Sequence, residues 1–224
     1  MSDSEIFIRG YRATDRTAVD QIACDTADHG NPVERLFHDR RTVAELLVRY
    51  YAEYEPDCLW IAEKDGQVAG YLTGCMDTKR CNRIMGKRMI PKVTAGALWR
   101  GALLRAETYR LLKSFWLTYF KGGYPIHVGL DEFPAHLHIN IRDGFRQSGI
   151  GRRLVHRFQK QVSDAGIPGI HVLTLGHNDN GRRFFQAMGF SLLGEQVLFL
   201  PVGSRQQKTS TAILGWKKEN IACP

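Results

Sequence analysis

The chain has 224 residues and 25.4 kDa, with 43% hydrophobic, 10% aromatic and 24% charged residues and a mean hydropathy of −0.29, an ordinary folded profile that excludes disorder over most of its length. Cys24, Cys58, Cys75, Cys81 and Cys223 form no Cys-x-x-Cys pair, so free thiols and a cytoplasmic location are expected, and neither a secretory signal nor the ~18-residue apolar run of a membrane span is present. The charge of +8 is concentrated: residues 77–123 hold eleven Lys and Arg against Asp77 and Glu107, whereas the remainder holds 20 basic and 21 acidic residues.

In chain order, residues 5–12 alternate as a first strand, and Thr14 or Asp15 caps a helix running through Asp28, with Val19, Ile22 and Ala23 on its buried face. His29-Gly30-Asn31-Pro32 breaks it, and a second helix is predicted over Asp39–Tyr54 from Val43, Leu46, Leu47 and Tyr50. Leu59–Glu63 and Gln67–Gly74 flank Asp65-Gly66, which reads as a hairpin. Thr94–Phe120 reads as an amphipathic helix or helical pair, its apolar stripe comprising Leu98, Ala102, Ala106, Tyr109, Leu112, Trp116 and Tyr119, ended by Gly122-Gly123-Tyr124-Pro125. Ala135–Ile141 alternates like a strand and passes through a turn and loop at 142–151 into a helix reaching Ala165. A strand at Ile170–Leu175, a helix at Asn178–Met188 stopped by Gly189, and apolar runs at 192–200 and 211–216 around a polar loop at Gly203–Lys208 complete the chain.

The most informative segment is strand, then Arg146-x-x-Gly149-x-Gly151, then helix. Two glycines let backbone approach a ligand, and the helix N-terminus that follows offers unpaired N–H groups and a positive dipole end, a ready anion site. Neither the P-loop template nor the three-glycine dinucleotide template fits.

The run Phe145-Arg146-Gln147-Ser148-Gly149-Ile150-Gly151-Arg152-Arg153-Leu154 resembles the pyrophosphate motif of the GCN5-related N-acetyltransferases (GNAT). Asn178–Phe190 resembles the same family's Asn…Ala-x-x-Phe-Tyr-x-x-x-Gly-Phe segment, with Gly181 where Ala is usual and Phe185 where Tyr is usual, and the hairpin Ile61–Tyr71 is a third match in the same order. The resemblance implies an α/β (α+β) fold: one domain over 1–224, a mixed, twisted sheet of about seven strands with flanking helices, and a basic helical insertion at about 77–123 between strands 3 and 4. It also implies acetyl-coenzyme A between the splayed strands through Ile139 and Leu173. Backbone groups of Ile139, Asn140 and Ile141 would meet the pantetheine arm, Gln147, Ser148, Gly149, Ile150, Gly151 and Arg152 the pyrophosphate, and Arg146, Asn178 and Phe185 would complete the cofactor site. No metal is expected.

The activity so implied is acetyl transfer to a primary amine by direct attack in a ternary complex, on a small molecule rather than a protein. His136 and His138 share a strand face at i and i+2 and are the candidate proton path. Their setting resembles the arylalkylamine acetyltransferases; the alternative is a pair of strand histidines bonded to neighbours. With Phe185 unable to donate a proton, either the thiolate leaves unassisted, or His177 or Tyr124 serves, or the chain binds acyl-coenzyme A without efficient transfer. Asn178 either contacts cofactor or caps its helix, and one of Arg152 and Arg153 faces solvent. Asp25, Asp28, Glu34 and Asp39 either attract a cationic amine or do nothing. The basic segment packs its stripe on the body, or forms a lid or homodimer surface, or adheres to membrane or nucleic acid; the first is the expectation, with no nucleic-acid partner.

Overall fold

The structure, a computed structural model, describes residues 5–27, 32–35, 37–121, 129–175, 178–202 and 205–218. Asp28, the turn residues 29–31, Tyr124 with its glycines, His177, Gly203 and Cys223 lie outside them.

Strand β1 (Ile6–Gly10) leads through a 3₁₀ turn into α1 (Arg16–Thr26). Asp15 does not cap α1 by its side chain; it accepts the Arg12 N–H and the Arg9 guanidinium, which fixes the turn before the helix. The expected helix over 39–54 is two, α2 (Arg40–Leu47) and α3 (Arg49–Tyr54), bent at the fully buried Val48. Beyond the bend, α3 carries the adjacent Tyr50 and Tyr51, both buried. The hairpin is observed: β2 (Leu59–Lys64) and β3 (Gln67–Cys75) join through Asp65 and Gly66, both at positive φ as a primed turn requires.

The basic segment follows β3 as α4 (Thr78–Ile84), a π-helical turn at 85–89, α5 (Ile90–Trp99), a 3₁₀ turn at 102–104 and α6 (Ala106–Phe120). The sequence periodicity spanning 94–120 is therefore interrupted: Gly101, at φ +70°, terminates α5. A second expectation is corrected here. Of the stripe thought to pack on the body, Leu98, Ala106, Tyr109, Leu112, Trp116 and Tyr119 are exposed and only Ala102 is buried.

Strand β4 (Ala135–Ile141), α7 (Ile150–Asp164), β5 (Gly169–Leu175) and α8 (Asp179–Ala187) come next, then the ribbon of β6 (Ser191–Val202) and β7 (Arg205–Lys217). The ribbon pairs out to Val202 and Arg205, so residues 205–208, expected as loop, are strand. The seven-stranded sheet runs β1-β2-β3-β4-β5-β7-β6, and β4–β5 is its parallel pair. One face packs Leu72, Leu137, Leu154, Phe158 and Phe190 under α7 and α8, and the other packs Ile22, Tyr50, Tyr51, Leu59 and Tyr71 under α1 and α3.

Candidate active site

The parallel pair is joined at two positions only, Ala135 with Ile170 and His136 with His171, after which β4 and β5 diverge. Beyond His136 the β4 backbone has a partner on one side. The Arg142 N–H donates to Ala69 O at 2.9 Å, and since alternate residues of an antiparallel strand bond the same neighbour, Asn140 and His138 direct their main-chain groups to β3. Those of Ile139 and Ile141 then face the gap. The three-residue set expected to meet a ligand is thus split: Asn140 turns its backbone to β3, and its side chain donates to Tyr71 Oη at 2.8 Å and lies 3.0 Å from Thr26 Oγ1.

The gap leads to the start of α7. Gly149, at φ +82°, is its N-cap, and no side chain caps the helix. The first intrahelical bond runs from the Arg153 N–H to Gly149 O, so Ile150, Gly151 and Arg152 present free amides. A Cβ at 149 would meet nothing within 4 Å, whereas one at 151 would lie 3.2 Å from the Phe184 ring and 3.3 Å from Ile141. The first glycine therefore serves the turn and open space above the nest, and the second serves helix–strand contact. Gln147 also has positive φ, and Ser148 Oγ donates to Phe145 O at 2.6 Å, which shapes the loop. Arg146 Nε reaches Ile141 O at 3.4 Å. Arg153 is committed to Ile6 O at 2.9 Å; Arg152 is exposed with no partner among the described residues. An anion fits this nest, because the orphaned donors, the free space and an available cation coincide.

Two expected cofactor residues do other work. Asn178 accepts the Gly181 N–H at 3.0 Å as the N-cap of α8, and a Cβ at 181 would fall 2.5 Å from the cap amide, which explains glycine there. Phe185 is buried, with ring contacts to Phe184 and Phe190 at 5.1 and 5.3 Å, so it is core and carries no hydroxyl to the gap.

At the other end of the gap is a pocket of about 490 Å³ bounded by Leu46, Tyr51, Asn82, Met85, Ile90 and Leu130, with His136, His138 and His171 at its base. The structure separates the two expected histidines. Both ring nitrogens of His136 are engaged: Nδ1 lies 2.7 Å from Thr78 Oγ1 and Nε2 2.9 Å from Tyr51 Oη. The Thr78 hydroxyl donates its one hydrogen to Pro134 O at 2.7 Å, so it accepts from Nδ1–H, and Nε2 accepts from Tyr51. Burial, then His138 and His171, hold the His136 pKa well below the usual imidazole value. The His138 side chain makes no hydrogen bond among the described residues, and its ring is solvent-accessible on the floor of the pocket. That recess, then His171, pushes its pKa down to about 4. Opposite it, the buried Thr73 hydroxyl has no partner among the described residues. His171 donates Nδ1–H to Phe133 O at 2.8 Å, and burial lowers its pKa. Tyr51, Thr78 and His171 line the pocket and were missed by the sequence reading; a third histidine on the neighbouring strand was the available signal.

Beneath the pocket, the buried Glu55 accepts from Tyr50 Oη at 2.6 Å, Cys75 Sγ at 3.2 Å and the Met76 N–H at 2.8 Å, tying α3 to the end of β3. Ligand-type atoms of Cys75, Cys81 and His136 lie within 4.8 Å of one another, the one such set among the described residues; a metal there would displace a hydrogen bond of His136. The carboxylates considered for amine attraction are ion-paired: Arg40 bridges Asp25 and Glu34 at 2.6 Å each, and Arg100 holds Asp39 at 2.9 Å.

Keeping His136 and His171 neutral has a cost in acid. Both are buried with lowered pKa, so the unfolded chain binds the extra protons, and stability is full above about pH 6.5 and falls as pH drops below it. Urea unfolding is expected to lose up to about 1.4 kcal/mol per pH unit for each ring between pH 6 and 5. An unfolding free energy unchanged from pH 7.5 to 5 would contradict this account.

Comparison with solved structures decides the architecture. A protein called SsHAT superposes with a TM-score of 0.66 at 20% identity, over 95% of this chain and 98% of that one. The chain has the GNAT fold. Others include yncA, described as an acetyltransferase of Salmonella typhimurium and solved with its cofactor acetyl-CoA (TM-score 0.59, 13% identity, 98% and 97% covered). The ribosomal-protein-S18-alanine N-acetyltransferase of Escherichia coli gives 0.54 at 14% identity, over 98% and 100%. No family model matches the sequence. A curated relative, mycothiol acetyltransferase of Nocardiopsis dassonvillei, is 27% identical over 63 residues, 28% of this chain and only 19% of that protein. The β4–β5 splay belongs to this shared fold, and the neighbours include structures described as N-acetyltransferases.

Proposed function

We propose that the protein is an acetyl-coenzyme A dependent N-acetyltransferase acting on the primary amine of a small acceptor with an apolar or aromatic body. The observation that carries this reading is the divergence of β4 from β5, with an apolar pocket based on His138 between the two strands and an uncapped helix start beyond the end of β4. Acetyl-coenzyme A would supply the thioester acetyl group; Ile150, Gly151, Arg152 and the arginine side chain would hold its phosphates. The gap-facing backbone of Ile139 supplies an N–H toward developing oxyanion charge. As the amine nitrogen bonds the acetyl carbon, His138, neutral at working pH, takes the proton that nitrogen sheds; the C–S bond breaks, and the departing coenzyme A thiolate is protonated by His138 or by water. His136 is a positioning residue that holds Tyr51 against the pocket wall. Direct attack in a ternary complex needs the nest and the pocket filled at the same time, and the residues of the two sites do not overlap.

Phe185 supports a second reading, an acyl-coenzyme A binding module without efficient transfer. Release of free thiol from acetyl-coenzyme A, followed against arylalkylamines, polyamines, aminoglycosides, amino acids and lysine peptides, separates the two. Turnover is expected with the apolar amines first, given Leu46, Tyr51, Met85 and Ile90 in the pocket. Tight acetyl-coenzyme A binding with no amine-stimulated release would favour the binding module.

A further inference from the structure

Helix α6 buries hydroxyls against the ribbon and leaves most of its large apolar side chains outside, although Leu111 packs on the cluster of Phe37, Ala97 and Ala102. The face it turns to the β6–β7 ribbon carries Ser114 and Thr118, both buried, and Thr108 is buried at the first turn. Their hydroxyls are satisfied: Thr108 donates to Ala102 O, Ser114 to Gln206 Oε1, and Thr118 donates to Ser114 O while accepting the Phe199 N–H. The outward face carries Tyr109 (71% exposed), Leu112 (53%), Trp116 (60%), Tyr119 (58%) and Phe120 (74%). These lie within one 120° arc of the helix. The rings of Trp116, Tyr119 and Phe120 meet one another at 5.6–6.3 Å. Just before α6, Trp99 at the end of α5 and Leu104 on the 3₁₀ turn are 93% and 82% exposed. An apolar face of this size on a protein surface marks a contact site.

Charge identifies the occupant. Arg105, Lys113 and Lys121 are exposed on the same helix with no ion pair among the described residues, and its one acidic residue, Glu107, is turned to His38 at 3.1 Å. The whole segment carries eleven basic against two acidic residues. A second copy docking here would set that positive surface against itself. Nucleic acid would match the charge but leaves Leu104 and Leu112 without a stacking partner. Aromatic rings interleaved with Lys and Arg, on a helix too short to span, match the interface of an anionic bilayer.

We infer that α6 and the turns before it form a peripheral membrane-docking surface selective for anionic phospholipid. The test is flotation of the full chain with vesicles of phosphatidylglycerol or of phosphatidylcholine, read also by tryptophan fluorescence. Partition is expected to be about tenfold or more stronger on phosphatidylglycerol and to fall about tenfold between 0.1 and 0.5 M salt, as screening shortens the reach of each basic residue. Trp116→Ser with Phe120→Ser removes exposed rings only, so its thermal midpoint should match wild type while vesicle affinity falls about tenfold or more. Lys113→Gln with Lys121→Gln should lower it roughly fivefold per charge. The inference fails if the chain does not float with phosphatidylglycerol, or if the serine variant floats equally well. It fails equally if that variant instead disperses a homodimer or abolishes DNA retention while the wild type ignores vesicles.

Discussion

Gly149→Glu is expected to weaken acetyl-coenzyme A binding by about 100-fold or more relative to Gly149→Gln, because a unit charge ~4 Å from a phosphate is repelled by about 4 kcal/mol even at an effective dielectric of 20. The glutamine variant is the proper reference. Both side chains must adopt the left-handed backbone at 149, at a shared cost of about 1–2 kcal/mol, and both enter space in which no atom lies within 4 Å of a Cβ. The difference between them is therefore charge at the nest. Gly151 is a poorer place for the test, since a side chain there would press on Phe184 and Ile141. Calorimetric titration measures the effect, and equal dissociation constants for the two variants would move the cofactor elsewhere.

For the proton path, His138→Gln should lower kcat/KM by roughly 10² to 10⁴ while leaving cofactor affinity nearly intact. The pH profile should carry its own signature. With a pKa near 4, His138 is already neutral at pH 6, so it contributes no limb above that point. Any rise in rate toward alkaline pH follows deprotonation of the acceptor, near ~10.4 for an alkylamine. His136→Gln should behave differently: it strands the Tyr51 hydroxyl and costs about 1–3 kcal/mol of stability, with kcat/KM changing less than in His138→Gln. Wild-type kcat/KM in the His138 variant would remove that residue from catalysis.

Much of the fold was legible because its signals are local. The Asp65-Gly66 turn, the alternation of β4, the glycine pair at the start of α7 and the Asn178 cap each follow from a few adjacent residues. What escaped depends on distance. Tyr51 meets His136 from 85 positions away, and no periodicity relates them. The bend at Val48 was invisible for a similar reason, since helical spacing on either side of it is nearly preserved. The inverted α6 teaches a sharper lesson. Amphipathicity names two faces without saying which one meets the body, and Ser and Thr can be buried cheaply by bonding carbonyls of their own helix, as Thr118 does to Ser114 O.

The divergence of β4 from β5 bears on how the molecule holds together. A sheet ordinarily passes load from strand to strand through its ladder, but here the ladder is nearly severed at its midpoint, leaving β1–β4 and β5–β7 as two rafts moored by two residue pairs. What spans the break is α7, which packs against β1, β2, β3, β4 and β5, with Leu154, Phe158 and Val162 fully buried along its length. The helix works as a splint across a fracture. The same element that opens the anion nest at its first turn also sets the width of the gap that the nest serves.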